Sequence, residues 1–100
     1  MSKVKITVLK RLLIDDVVKE YAKDAALPLC SVLKEGDTFV MEKGEMPAGF
    51  CYWAFSDIHR DIMTVRFGGD FPWIKQKGTS ICSCSDGLRP VIFKVERIED

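Results

Sequence analysis

Four residues of this 100-residue chain are best suited to chemistry: Cys30, Cys51, Cys82 and Cys84. As thiolates they could hold a soft metal, exchange with disulfides or attack an electrophile. Four cysteines allow three disulfide pairings, and sequence chooses none of them. A zinc knuckle needs a Cys-x2-Cys turn that aims two sulfurs at one ion, and no such spacing occurs here. Cys82 and Cys84 are one residue apart. On a strand rising about 3.3 Å per residue they share a face. Both could reach one ion only through a bend, which Asp86-Gly87 could supply. A disulfide between them would stand near the upper limit of allowed Cα separation. Cys51 follows Gly49 where a helix is expected to begin, and a helix start favours negative charge. Cys30 falls in a connector. The sharp expectation is that Cys30, Cys51 and Cys84 converge, with Asp57 or His59 as an extra ligand. Three thiolates suit zinc, copper(I) or an iron–sulfur centre. The competing reading is that cysteine acts as a small, often buried hydrophobe, so that all four only pack. A third reading makes Cys51 the nucleophile of a small enzyme.

The remaining candidates have plainer explanations beside their chemical ones. His59 falls off the helical stripe that carries Cys51 and reads as a surface histidine. Asp57 and Asp61 are four apart, hence neighbours on a helix, and could do acid–base work. With Arg60 and Arg66 close by, a solvated ion-pair face is expected instead. Arg89 follows the Asp86-Gly87 turn and could bind an anion. The segment Phe67-Gly-Gly-Asp-Phe-Pro-Trp73 follows a helix, so it is not the strand-to-helix glycine loop that cradles phosphate. A helix cap with an aromatic plug on the core is expected there. The alternative is an aromatic pocket or subunit contact made by Trp53, Phe71 and Trp73, since aromatic side chains dominate interface energetics. Trp53 is expected in the core. No Ser/His/Asp or Cys/His signature appears.

These residues need elements to place them. Val4, Ile6 and Val8 alternate with Lys3, Lys5 and Thr7, the period of a half-buried strand over 3–10. Ile14, Val17, Val18, Tyr21 and Ala25 share a helical face, predicting a helix over 14–25 that Pro28 ends. Gly36-Asp37 signals a turn into a strand over 38–42. The stretch 44–49, with Pro47, reads as a loop. From Phe50 the stripe Cys51, Ala54, Phe55, Ile58, Ile62 and Val65 predicts a second helix, stopped by Gly68-Gly69. Residues 79–85 can run extended, Asp86-Gly87 is a hairpin-turn pair, and 90–98 forms a strand with Val91, Phe93 and Val95 on one face. The expected fold is α+β: a small, mostly antiparallel sheet of three to four strands, two helices and a C-terminal hairpin, in one domain over 1–100.

Composition bounds the partners. Lys plus Arg total 15 and Asp plus Glu total 15, giving zero formal charge. That gives no pull toward nucleic acid or an anionic membrane. At 47% hydrophobic and 30% charged residues the chain is a folding one, not a disordered one. No apolar run is long enough for a membrane span. The opening Met1-Ser-Lys-Val-Lys lacks the core of a signal peptide, so a soluble cytoplasmic protein with reduced thiols is expected. A chain of this size has little room for a deep cleft. Its pocket is therefore expected at a subunit boundary, and the protein is expected to be a homo-oligomer.

Val4-Lys-Ile-Thr-Val8, Cys30 followed by Gly36-Asp-Thr-Phe39, Pro47-Ala-Gly-Phe-Cys51, Phe67-Gly-Gly-Asp-Phe-Pro-Trp73, Cys84-Ser-Asp-Gly87 and Arg89-Pro-Val-Ile-Phe-Lys-Val-Glu-Arg-Ile98 follow one another in this order. Together they resemble a sequence-defined family of small bacterial and archaeal proteins of unknown function. The resemblance covers nearly the whole chain and implies a stand-alone prokaryotic domain without an assigned activity. It further implies that Cys30, Cys51 and Cys84 match family cysteines, whereas Cys82 and His59 match no fixed position. Weight therefore moves onto the three-cysteine set.

Overall fold

A computed structural model describes residues 3–98. The alternating stretch at the start forms strand β1 (Lys3–Arg11), followed by helix α1 (Asp15–Tyr21) and strand β2 (Thr38–Met41). Helix α2 (Tyr52–Arg66) then leads to strands β3 (Thr79–Ser83) and β4 (Val91–Ile98). The four strands make one antiparallel sheet in the order β2-β1-β4-β3. The two most apolar strands are therefore central and the two shorter ones are edges. The fold is α+β with a C-terminal strand pair, as the sequence predicts.

Register follows from which face is buried. Ile6 stands opposite Phe39 on β2 and Val95 on β4, and Val8 stands opposite Phe93. A slip by one residue would turn each of these side chains to solvent. Val4, Ile6, Val8, Met41, Val91, Phe93 and Val95 thus form one apolar face. Helix α2 covers it with Ala54, Ile58, Ile62 and Val65. Each fully buried side chain of this size contributes roughly 1.5–3 kcal/mol. The ladder between β1 and β4 shifts register between Val8 and Lys10, a bulge at Leu9. Val8 N–H and C=O bond instead to Asp37 and Gly36, which ties the connector before β2 to the sheet.

The C-terminus of α2 is closed from two sides. Gly68 N–H bonds the Val65 carbonyl and Gly69 N–H bonds the Thr64 carbonyl at 2.8 Å, the Schellman pattern expected from the glycine pair. Gly68 takes the left-handed backbone this requires, with φ of 92°. Arg97 of β4 donates from Nη1 to the Val65 carbonyl at 2.9 Å, placing a cation at the negative end of the helix.

Four expectations fail here, for identifiable reasons. Helix α1 stops at Tyr21, well before Pro28. Beyond Tyr21 no large apolar residue extends the stripe. The Asp24 carboxylate accepts the Ala26 N–H, a local turn that competes with helix. Only Val18 of α1 is buried, and Tyr21 is exposed. Trp53 is not a core residue: it is 80% exposed, because Phe50 and Ala54 already fill the layer above the sheet. The Phe67–Trp73 segment is not an aromatic plug. Phe67 and Trp73 are exposed, and Phe71 alone packs against the core, with its ring 5.3 Å from that of Trp73. Finally, the β3–β4 connection is longer than a two-residue turn. It runs over 84–90 and is closed at its base by the Cys84 N–H on the Val91 carbonyl.

Candidate functional site

One end of the core is left open where α2 begins. Three segments border the opening: residues 30–33, the first two turns of α2, and the β3–β4 connection. They enclose a cavity of about 510 Å³ lined by Cys30, Cys51 and Cys84, together with Leu33, Ala54 and Val91 on the apolar side. That volume lies within the range of roughly 300–1,000 Å³ typical of small-ligand sites. The three cysteines singled out from sequence therefore face one space within a single chain. No subunit boundary is needed to make it. Cys82, the fourth, does not line it.

Each wall is fixed by identifiable contacts. Cys51 is the residue preceding the first turn of α2, not its first helical residue, and its side chain makes no capping bond. Cys30 is held through its carbonyl, which accepts Nη1 of Arg11 at 3.0 Å. Arg11 is itself gripped by Glu35, which accepts its backbone N–H at 3.0 Å and its Nε at 2.9 Å. A hydrogen bond from its own backbone first, and then these bonds from Arg11, hold the Glu35 carboxyl below its ordinary range. Buried Leu33 pins the same segment to the core. Cys84 donates its backbone N–H to the Val91 carbonyl at 3.1 Å, and the Val91 N–H donates to Cys84 Sγ at 3.3 Å.

Asp57 and Asp61, expected to share a solvated ion-pair face, have separate and different roles. Asp57 lines the cavity and accepts both the Ser85 N–H (2.8 Å) and its hydroxyl (2.9 Å), bridging α2 to the residue after Cys84. Asp61 is buried at 7% exposure and accepts the Ser80 hydroxyl at 2.5 Å, tying α2 to β3. Its bond from Arg60 Nε is longer, 3.4 Å, and Arg60 is otherwise in solvent. Cys82 lies beside this carboxylate. Burial first, and then the Asp61 charge, push its thiol up to about 12. At neutral pH it is protonated and inert as a nucleophile.

Asp86 organises the far wall. Its Oδ1 accepts the N–H groups of Leu88 and Arg89, and its Oδ2 accepts Arg89 Nε at 3.2 Å. Burial pushes the Asp86 carboxyl up, but these bonds outweigh it and the group lies below its ordinary range. Trp53 and Val32 line the cavity while keeping most of their surface in water, so they stand at its mouth. Phe71 and Trp73 are not part of it.

No family model, curated protein or solved structure matches the chain. The site stands on its own geometry. Among the described residues, no group of three or more His, Cys, Asp or Glu side chains is disposed to hold a metal ion. The three thiols share a cavity without forming a ready metal centre. His59, offered above as an extra ligand, is exposed and lies edge-on to Phe55 instead. No helix among the described residues is long and apolar enough to cross a membrane.

Sequence reasoning missed Arg11, Glu35 and Ser85. Arg11 and Glu35 are 24 residues apart and carry no local signal. Ser85 could have been suspected only from its place beside Cys84.

Proposed function

We propose that the protein is a small thiol-based binding module, working in a redox or covalent mode, with Cys30, Cys51 and Cys84 as its functional groups. The observation that carries this reading is that all three line one ligand-sized cavity while Cys82 lies outside it beside a buried carboxylate. The resemblance noted from sequence singles out the same three residues. The zinc or soft-metal form of the reading has less behind it, since no preassembled ligand group is present among the described residues. The test is differential alkylation of the native protein with N-ethylmaleimide, read residue by residue by mass spectrometry. Cys30, Cys51 and Cys84 are expected to label before Cys82, and reversible blocking by a small disulfide should protect them. Uniformly slow labelling of all four would leave only packing. Elemental analysis of protein purified without added metal tests the metal form directly, and stoichiometric bound metal would reinstate it.

A second reading rests on a separate observation: Trp53, Phe67 and Trp73 are large, apolar and exposed. It makes the protein a homo-oligomer or interaction module with Trp73 in the contact. Light scattering decides it, because a clean monomer at high concentration counts against an aromatic interface. Catalysis by Cys51 has the least support. No histidine lines the cavity, and both of its carboxylates already accept hydrogen bonds from the β3–β4 connection.

A further inference from the structure

The polar groups of the cavity have unused capacity of a definite kind. Arg89 gives Nε to Asp86, and among the described residues its two terminal amino groups have no partner. Asp86 accepts three bonds, from the N–H groups of Leu88 and Arg89 and from Arg89 Nε, and the Asp86–Arg89 pair is neutral as a unit. Asp57 receives both of its bonds on Oδ2, which leaves Oδ1 open. The cavity thus presents a guanidinium end and a carboxylate oxygen beside three thiols, with the indole of Trp53 at its mouth. A purely anionic ligand would meet the Asp57 charge, and a purely cationic one would leave the free N–H donors of Arg89 unpaired. A ligand carrying both an ammonium and a carboxylate suits both.

We propose that the cavity takes a small zwitterionic disulfide of the amino-acid type, its carboxylate on Arg89 and its ammonium on Asp57, and forms a mixed disulfide with a cavity thiol. This rests on the thiol-module reading above and names its reaction partner. A cavity cysteine loses its proton, and its sulfur attacks one sulfur of the ligand. The ligand S–S bond breaks as the new S–S bond forms. The departing thiolate takes up a proton and leaves as a free thiol. The cysteine is oxidised, the departing half of the ligand is reduced, and no other oxidant is needed.

Three disulfides separate the contributions: cystine carries both charges, cystamine only ammonium groups, and dithiodipropionate only carboxylates. Each reagent's rate with the native protein is divided by its rate with a small free thiol, and adducts are located by mass spectrometry. Cystine is expected to lead both others by roughly fivefold, the effect of one partly exposed ion pair at the upper end of its range. Arg89→Gln should abolish the lead over cystamine and keep the lead over dithiodipropionate, because Asp57 is intact. Normalised rates that are equal for all three reagents on the wild-type protein overturn the proposal even if Arg89→Gln fails to fold. Adducts still confined to Cys30, Cys51 and Cys84 would then leave the thiol module standing. Absence of adducts on those three residues removes both.

Discussion

Replacing Asp61 by asparagine tests whether the fourth cysteine is silent for the reason given above. Cys82 has its thiol pushed from an ordinary 9.0 to about 12, first by burial and then by the adjacent Asp61 carboxylate. At pH 8 an ordinary thiol is about one-tenth thiolate, whereas one titrating near 12 is about one part in ten thousand. Only the thiolate attacks, so Cys82 should alkylate about a thousandfold more slowly than an ordinary exposed cysteine. Asp61→Asn removes the charge but keeps an oxygen that the Ser80 hydroxyl can donate to. Burial, the larger cause, remains. Labelling of Cys82 should therefore quicken while remaining slower than that of an ordinary exposed cysteine. The assay is pulse labelling with iodoacetamide across pH 7–9. Trypsin leaves Cys82 and Cys84 on one peptide, because no Lys or Arg lies between them, so fragment ions must tell them apart. If Cys82 of the folded wild-type protein labels as fast as in the denaturant-unfolded chain, the argument from burial and charge is wrong. Asp61→Asn that slows Cys82 would refute the electrostatic part alone.

Three further outcomes follow from the same contacts. Because the folded chain holds the Cys82 proton more tightly than the unfolded one, that contribution to stability is intact below pH 9 and is lost as pH rises toward 12. The loss is at most about 1.4 kcal/mol per pH unit, and denaturant melts of Cys82→Ala should show a shallower alkaline decline than wild type. Gly69→Ala would set a Cβ 2.7 Å from Thr64 Cγ2 and 2.9 Å from the Thr64 carbonyl oxygen. It should cost about 1–3 kcal/mol, seen as a lower melting temperature, and an unchanged melt would mean that the close of α2 is less tight than described. Glu35, held low by its own backbone bond and by Arg11, supports the Cys30 segment above its ordinary pKa of 4.5 and loses that support as pH falls below it. Glu35→Gln should accordingly speed amide exchange around residues 30–33 at neutral pH, with little change in β1 and β4. Equal protection in both proteins would show that Leu33 alone holds the segment.

The elements with a single dominant period were legible: β1 and β4 by alternation, α2 by its stripe and glycine stop. Each buries one apolar face against the others, so local pattern and tertiary packing agree. Asp61 was not legible. Its spacing from Asp57 and its neighbour Arg60 are those of a surface ion-pair row. Its burial depends on Ser80, nineteen residues away on an edge strand, offering a hydroxyl at the right height. Trp53 failed in the opposite direction. Hydrophobicity alone puts a tryptophan inside, but the space it would fill is taken by Phe50, whose ring lies 5.0 Å from Phe39 and 5.5 Å from Phe93.

The cavity itself shows what kind of information a sequence withholds. Small size argued that any pocket would need a second subunit, yet one chain makes it, because three short segments meet beyond the open end of the sheet. The ties between segments are not local: Asp57 reaches Ser85 across 28 residues, and Arg11 reaches the Cys30 carbonyl across 19. The cysteines were visible as chemistry, and their shared cavity follows only when these polar ties are in place. Arg11, Glu35, Asp57 and Ser85 are thus as much a part of the site as the sulfurs. Loosening Glu35 should change how fast Cys30 reacts while leaving Cys84, fixed separately by Val91, at its original rate.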